Sequence, residues 1–78
     1  MLRGMRIKWH SDISYSEQIE QKIKKQISLG YLEKGEQLPR CKVLGEKLKV
    51  CGITVYRAYR KLIEAGLVVR KDNDFYVN

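Results

Sequence analysis

RCKVLGEKLKVCGITVYRAYRKLIEAGLVV, residues 40–69, contains two blocks in which apolar residues recur at helical spacing. The first block, residues 43–48, is short, and the second, residues 55–62, runs on towards Gly66, a residue type that often ends a helix. Residues 49–51 separate the blocks and leave room for only a tight turn. A short helix, a three-residue turn and a longer helix predict a helix-turn-helix unit.

The segments on either side complete a winged version of this unit. Residues 67–77 hold two apolar runs around a polar turn, which predicts a two-stranded hairpin, the wing. Upstream, Ser14 and Glu17 have the spacing of a capping box, followed by an amphipathic pattern that Gly30 ends. We therefore expect one domain over residues 1–78, mainly α with a small β-hairpin. Its parts are a strand or arm at 5–9, helices at 14–29, 40–48 and 52–65, and the wing.

Charge points to a polyanionic partner. The chain of 78 residues has a net charge of +7, and residues 40–61 hold seven basic residues against Glu46 alone. An ordinary solvated surface is the plain alternative, but concentration in one region favours nucleic acid, and nucleic acid before a membrane. No apolar run is long enough for a signal peptide or for the roughly 20 residues of a membrane span. We expect a soluble, cytoplasmic protein.

Catalytic and metal chemistry are not indicated. No nucleophile stands near His10, the single histidine, in a recognisable arrangement, and no glycine-rich phosphate loop is present. We expect neither an enzyme nor a metal or cofactor site. Cys41 and Cys51 are best read as reduced thiols. A redox switch is the alternative, because both flank helix starts, where a thiolate is stabilised.

Three segments resemble a known family: YSEQIEQKIKKQISLGYLEKGEQLP at 15–39, LGEKLKV at 44–50 and TVYRAYRKLIEAGLV at 54–68. They are similar to the DNA-binding domain of GntR-type bacterial transcription regulators, and the short lead-in looks closest to the small regulators of that family. The resemblance implies a repressor-like regulator of bacterial or phage origin that binds double-stranded DNA. It also implies that the third helix enters the major groove and that two copies read a symmetric operator.

Carried over to this chain, the resemblance places DNA contacts at the start of the second helix, in the third helix and in the wing. The expected contact residues are Arg40, Lys42, Cys51, Gly52, Ile53, Thr54, Tyr56, Arg57, Lys61, Lys71 and Asn73. Several of them depart from the family pattern. Gly52 replaces an arginine that commonly reads guanine, while Arg40 and Cys51 replace capping hydroxyl residues.

Each departure leaves alternatives. Gly52 either removes a base-reading side chain or permits the tight turn. Ile53 could pack on thymine methyl groups, and Thr54 could donate to a phosphate or a base. Tyr56 either reaches DNA or packs over its own helix. The wing tip carries two acids around Asn73 instead of glycines, so we expect it to contribute little or to act through Lys71 and Asn73 only.

The sequence ends at Asn78, where family members continue into an effector-binding or dimerising region. We therefore expect no small-molecule effector site. A homodimer would need another surface, such as Ile7 and Trp9, unless Trp9 covers the core instead. The alternative function is a winged helix used as a protein–protein interaction module.

Overall fold

The computed structural model describes residues 6–78. Three helices precede an antiparallel hairpin: α1 (Tyr15–Ser28), α2 (Cys41–Leu48), α3 (Gly52–Glu64), β1 (Val68–Lys71) and β2 (Asp74–Val77). The predicted fold class, a winged helix-turn-helix with three helices and a two-stranded wing, is confirmed.

Helix starts differ in how their backbone N–H groups are satisfied. The Ser14 hydroxyl accepts a 3.2 Å hydrogen bond from the Glu17 N–H and so caps α1. Arg40 and Cys51 precede α2 and α3, and neither makes a side-chain capping bond. Both helices that would face a ligand thus begin with N–H groups that no capping side chain has satisfied.

The core lies between α3 and the other elements. α3 buries one complete face, Val55, Ala58, Tyr59 and Leu62, each fully inaccessible to solvent. Ile19 and Ile23 of α1 pack into the same cluster. The other sides of the cluster are formed by the segment between α1 and α2, by α2 and by the wing, which contribute Leu38, Leu44, Val68 and Phe75. Burial of each such aliphatic side chain contributes roughly 1.5–3 kcal/mol to stability. The position of α3 relative to the other elements is therefore fixed by its buried face.

A close approach at Gly45 forms the turn between α2 and α3. A methyl group on Gly45 would lie 2.8 Å from the Val50 carbonyl oxygen and 3.2 Å from the Gly52 nitrogen, both backbone atoms. At Gly52 a methyl group would meet Lys42 Cα at 3.6 Å, an ordinary van der Waals contact. The turn therefore requires glycine at position 45, and it does not explain the glycine at position 52.

The connection between α1 and α2 extends the wing. The Leu38 N–H donates to the Phe75 carbonyl at 2.8 Å, and the Val77 N–H donates to the Glu36 carbonyl at 2.9 Å. Residues 35–38 therefore lie along the outer edge of β2. This pairing fixes the wing to the rest of the domain through backbone hydrogen bonds.

The segment predicted as a strand or arm at residues 5–9 is not a strand over its described part, which leaves the arm. Residues 6–9 form no strand, and Met5 lies outside the described residues. The segment is instead held by Gln18, a buried residue of α1. The Lys8 N–H donates to Gln18 Oε1 at 2.7 Å, and Gln18 Nε2 donates to the carbonyls of Lys8 and Ile13, both at 2.9 Å. The weak alternation of apolar residues favoured a strand, but hydrogen bonds from the Gln18 side chain, and not a neighbouring strand, satisfy the backbone of this segment.

Trp9 does not cover the core. Its side chain is 46% exposed and packs edge-on against Tyr15, with ring centroids 5.0 Å apart. Ile7 packs against the core in its place. Trp9 and Tyr15 thus form an aromatic pair on the surface at the start of α1.

Candidate nucleic-acid interface

The outward face of α3 is cationic over most of its length. Ile53, Arg57, Arg60 and Lys61 are all exposed, at spacings that put them on the side opposite the buried face. Three of these four residues carry a positive charge, and the α3 sequence has no acid before Glu64. This face is able to approach a polyanion while the other face holds the fold.

The first turn of α3 is uncharged. Cys51 is exposed, and its carbonyl accepts a 3.0 Å hydrogen bond from the Thr54 N–H. Ile53 is 56% exposed, whereas Gly52 and Thr54 are half-buried. The partial positive charge of the helix N-terminus is the main electrostatic feature of this turn.

The start of α2 lies against the start of α3. The position of a methyl group on Gly52 is 3.6 Å from the Lys42 nitrogen, so the two first turns are in direct contact. Lys42 is exposed there. The fold thus brings together one predicted phosphate contact and the predicted base-reading turn.

Arg40 has a different partner. Its guanidinium Nε donates to Asp74 Oδ1 at 3.1 Å, although the arginine side chain is 67% exposed. Arg40, the residue before α2, therefore links the start of α2 to Asp74, the first residue of β2. The predicted phosphate contact is not free in this structure, since an acid of the wing holds it.

Internal contacts shape the wing tip. Asp72 has a left-handed φ of 56°, and its carbonyl accepts a 3.1 Å hydrogen bond from Arg70 Nε. The Arg70 guanidinium also lies 5.8 Å from the centroid of the Phe75 ring. Lys71 and Asn73 are exposed beside the turn. The acid at position 74 faces Arg40, so the tip presents less negative charge than its sequence indicates.

Aromatic contacts join the wing to α3. The Phe75 ring lies 4.8 Å from the Tyr59 ring and 6.3 Å from the Tyr56 ring, measured between centroids. Tyr56 is half-buried, which supports the packing alternative for this residue. Tyr56 therefore lies at the junction of helix and wing, at the margin of the outward face.

Tyr59 fixes α3 to the start of α2. Its hydroxyl donates a 2.6 Å hydrogen bond to the Pro39 carbonyl, and burial raises the pKa of the Tyr59 phenol well above its ordinary value. The phenol is therefore a neutral donor throughout the physiological range. This bond holds the residues before α2 in place against α3.

The expected contact residues leave out two cations of this surface, Arg60 and Arg70. Arg60 follows Ile53 by seven positions and Arg57 by three, so helical spacing was signal enough to include it. Arg70 is held at the wing tip by its contacts with Asp72 and Phe75. The spacing of Arg70 in the sequence did not indicate these contacts.

The two cysteines do not form a disulfide in this structure. Both are free thiols, with Cys51 exposed and Cys41 half-buried. Burial raises the pKa of the Cys41 thiol, only partly offset by backbone hydrogen bonding and by the charge of Arg70. The helix start was expected to lower this pKa, and desolvation outweighs it.

Over residues 6–78, no group of three or more histidine, cysteine, aspartate or glutamate side chains is placed to hold a metal ion. Within the same part of the chain, none of the helices has the length and apolar character needed to cross a membrane. An open groove of about 390 Å³ lies beside α2, lined by Leu32, Glu36, Gln37, Leu38, Pro39, Arg40, Val43 and Lys47.

Together, the helix-turn-helix, the wing and the cationic outward face of α3 define the DNA-binding domain of a winged-helix transcription regulator. The chain belongs to the GntR family of bacterial regulatory proteins, whose family model matches residues 15–74. The resemblance read from the sequence is confirmed.

Two solved structures illustrate the relationship. YtrA from Sulfolobus acidocaldarius, a GntR-family transcription factor, is 30% identical, with a TM-score of 0.90 over 92% of this chain and 77% of that one. A transcriptional antiterminator from Listeria monocytogenes EGD-e is 27% identical, with a TM-score of 0.90 over 99% of this chain and 58% of that one. No curated protein matches the sequence.

Proposed function

We propose that this chain regulates transcription by sequence-dependent binding of double-stranded DNA, with α3 in the major groove. The observation that carries the proposal is the division of α3 into a fully buried face and an outward face that carries Arg57, Arg60 and Lys61. A groove about 12 Å wide admits one helix, and residues near its N-terminus reach the base edges. On this proposal the protein acts by binding and not by catalysis.

The side chains divide into two roles. The cations on the outward face of α3, with Lys42 at the start of α2, neutralise phosphates and set the affinity. The first turn of α3, formed by Gly52, Ile53 and Thr54 after Cys51, lies at the base edges and sets the preference. Lys71 and Asn73 contact the backbone of a neighbouring groove. Arg40 contributes a phosphate contact when it leaves Asp74, an exchange that an exposed ion pair allows at little cost.

Two copies on a two-fold symmetric site are the expected arrangement, because symmetric operators mirror the symmetry of dimeric helix-turn-helix proteins. The aromatic pair Trp9 and Tyr15 offers one surface for such a dimer. Repression by occupying the site is the simplest regulatory outcome. Action in the cytoplasm and action without a small-molecule effector stay predictions.

One observation favours a second function, a protein–protein interaction module. The turn that should read bases has lost its charged side chain at position 52 and presents Ile53 instead. An apolar anchor of this kind also fits the pocket of a protein partner. The two functions differ in their response to salt and to duplex DNA.

Fluorescence anisotropy with a random duplex and a selected duplex pool, across a salt series, tests the proposal. We expect affinity to fall steeply with salt and the pool to yield one two-fold symmetric preferred sequence. Replacing Arg57 and Arg60 together by alanine should lower the salt slope by about 2, since each phosphate contact contributes about 0.9. The matched control removes the same charge from Lys25 and Lys34, outside the proposed interface, and should leave the slope unchanged.

Absence of duplex binding at low salt would overturn the proposal and favour the interaction module. Equal loss in the test and control variants would show that charge alone, and not the outward face of α3, attracts DNA.

A further inference from the structure

Ile53 places an apolar side chain at the N-terminal end of the otherwise cationic outward face of α3. Along the outward face of α3 the exposed side chains are Ile53, then Arg57, Arg60 and Lys61, with Glu64 at the C-terminal end. Ile53 is the first of them and is 56% exposed. A single exposed isoleucine needs no explanation by itself. Its position does, because the N-terminal end of this helix is the part that lies deepest in a major groove.

The residues next to Ile53 offer little side chain with which to recognise a base. Gly52 has no side chain, and a methyl group there would lie 3.6 Å from Lys42 Cα. The Cys51 thiol is a weak donor and makes no capping bond. Thr54 is half-buried. The first strong side-chain donor on this face is Arg57, about 6 Å further along the helix axis than Ile53.

An aliphatic side chain distinguishes few groups in the major groove. The C5-methyl of thymine is the single apolar group on a base edge there, whereas cytosine, adenine and guanine present amino groups, ring nitrogens or carbonyl oxygens. Isoleucine gains by burying a methyl group. Against an amino or carbonyl group it removes water and returns no hydrogen bond, which is unfavourable.

We infer that Ile53 is a specificity-determining residue that selects a pyrimidine 5-methyl group, that of thymine or of 5-methylcytosine, where each α3 enters the major groove. The inference rests on the proposed function, since it names the group that the DNA-binding helix reads. It assigns the base preference to van der Waals contact, and it leaves the phosphate affinity with the arginines.

Replacing thymine by deoxyuridine provides a sharp test, because it deletes the methyl group and keeps every hydrogen-bonding group of the base pair. A duplex selected from a random pool by the full chain is resynthesised with uracil at one thymine at a time. At one thymine per half-site we expect the affinity to fall about fourfold, the value for burying one methyl-sized group. The Ile53→Ala variant should bind the thymine and uracil duplexes alike.

5-Methylcytosine supplies the reciprocal test. Replacing the critical T·A pair by C·G should weaken binding, and methylating that cytosine should recover about fourfold. Leu29→Ala is the matched control. Leu29 is also 56% exposed but lies at the C-terminal cap of α1, so this variant should keep the full preference for thymine.

Equal binding of the thymine and uracil duplexes by the unmodified chain would overturn the inference, as would a selection that enriches no sequence. Equal binding of the two duplexes leaves the proposed function standing if the salt slope persists and the pool still yields a preferred sequence. A selection that enriches no sequence overturns the sequence dependence of the proposed function as well, and leaves only unspecific DNA binding. Absence of any duplex binding would overturn both.

Discussion

The Tyr59 hydroxyl donates a 2.6 Å hydrogen bond to the Pro39 carbonyl, 20 residues earlier in the chain. The same ring packs against Phe75 of β2, at 4.8 Å between centroids. One residue of the buried face of α3 thus contacts both the segment before α2 and the wing. The relative positions of the three elements proposed to face DNA depend on it.

Tyr59→Phe should keep the ring packing and remove the hydrogen bond. The Pro39 carbonyl then loses its donor in a half-buried position, and we expect the free energy of unfolding to fall by about 1–3 kcal/mol. Urea denaturation followed by circular dichroism measures this. Tyr31→Phe, at a side chain that is 62% exposed, is the control and should change stability by less than about 0.5 kcal/mol. Equal stability of the two variants would contradict a structural role for the bond.

Gly45→Ala and Gly52→Ala should have opposite effects. At position 45 the new methyl group meets the Val50 carbonyl oxygen at 2.8 Å, so α2 and α3 must separate, and we expect a loss of about 1–3 kcal/mol. At position 52 the methyl group makes ordinary contacts, and a helical glycine is replaced by a better helix former. Stability should rise by up to about 1 kcal/mol.

Thermal unfolding of the two glycine variants side by side checks the sign of each change. A stable Gly45→Ala protein would mean that the turn tolerates a wider crossing of α2 and α3 than this structure has.

Asp74→Asn and Arg40→Ala separate the two roles of Arg40. Because the pair is exposed, each variant should change stability by no more than about 1 kcal/mol. Asp74→Asn removes a negative charge and weakens the contact that holds the guanidinium, so we expect tighter duplex binding and a steeper salt slope. Arg40→Ala should weaken binding and reduce the slope by about 0.9 if Arg40 contacts a phosphate. An unchanged slope in Arg40→Ala would leave it with only the contact to the wing.

The two thiols should react at different rates. Burial raises the pKa of Cys41, which lowers its thiolate fraction at neutral pH, whereas Cys51 is exposed. In iodoacetamide labelling followed by mass spectrometry we expect Cys51 to be modified first and the rate at Cys41 to rise with pH. Preferential modification of Cys41 at pH 7 would contradict the burial argument.

The same raised pKa links Cys41 to stability. The unfolded thiol releases its proton near its ordinary pKa of about 8.5, before the folded one does. The free energy of unfolding should therefore fall as pH rises from 8 to 9.5. Cys41→Ala should reduce this dependence, and Cys51→Ala serves as the control.

The sequence alone was sufficient for the fold class, because its signals are local. Periodic apolar residues, the three-residue turn and the glycines at positions 30 and 66 each act within a few residues. The pairing of residues 35–38 with β2 was not predictable, since it joins segments about 40 residues apart through backbone groups. The choice between a strand and an arm at the N-terminus was open for the same reason, because weak alternation does not specify a partner.

The candidate site was less predictable than the fold. Residue types and the family pattern named positions on α2, α3 and the wing, but not their interactions. Arg40 is 34 residues from Asp74, and neither residue's neighbours indicate the other. The sequence could not show whether the turn before α3 requires glycine at position 52. The distance from that position to Lys42 shows that a methyl group would fit there.

The separation of α3 into two faces makes recognition and folding nearly independent. Residues 55, 58, 59 and 62 hold the helix in place, and residues 53, 57, 60 and 61 are left to contact a ligand. On the proposed function, exchanging the exposed set should change which DNA sequences the domain binds, while its melting temperature changes little. The scaffold is therefore suited to engineering as a small, programmable DNA reader.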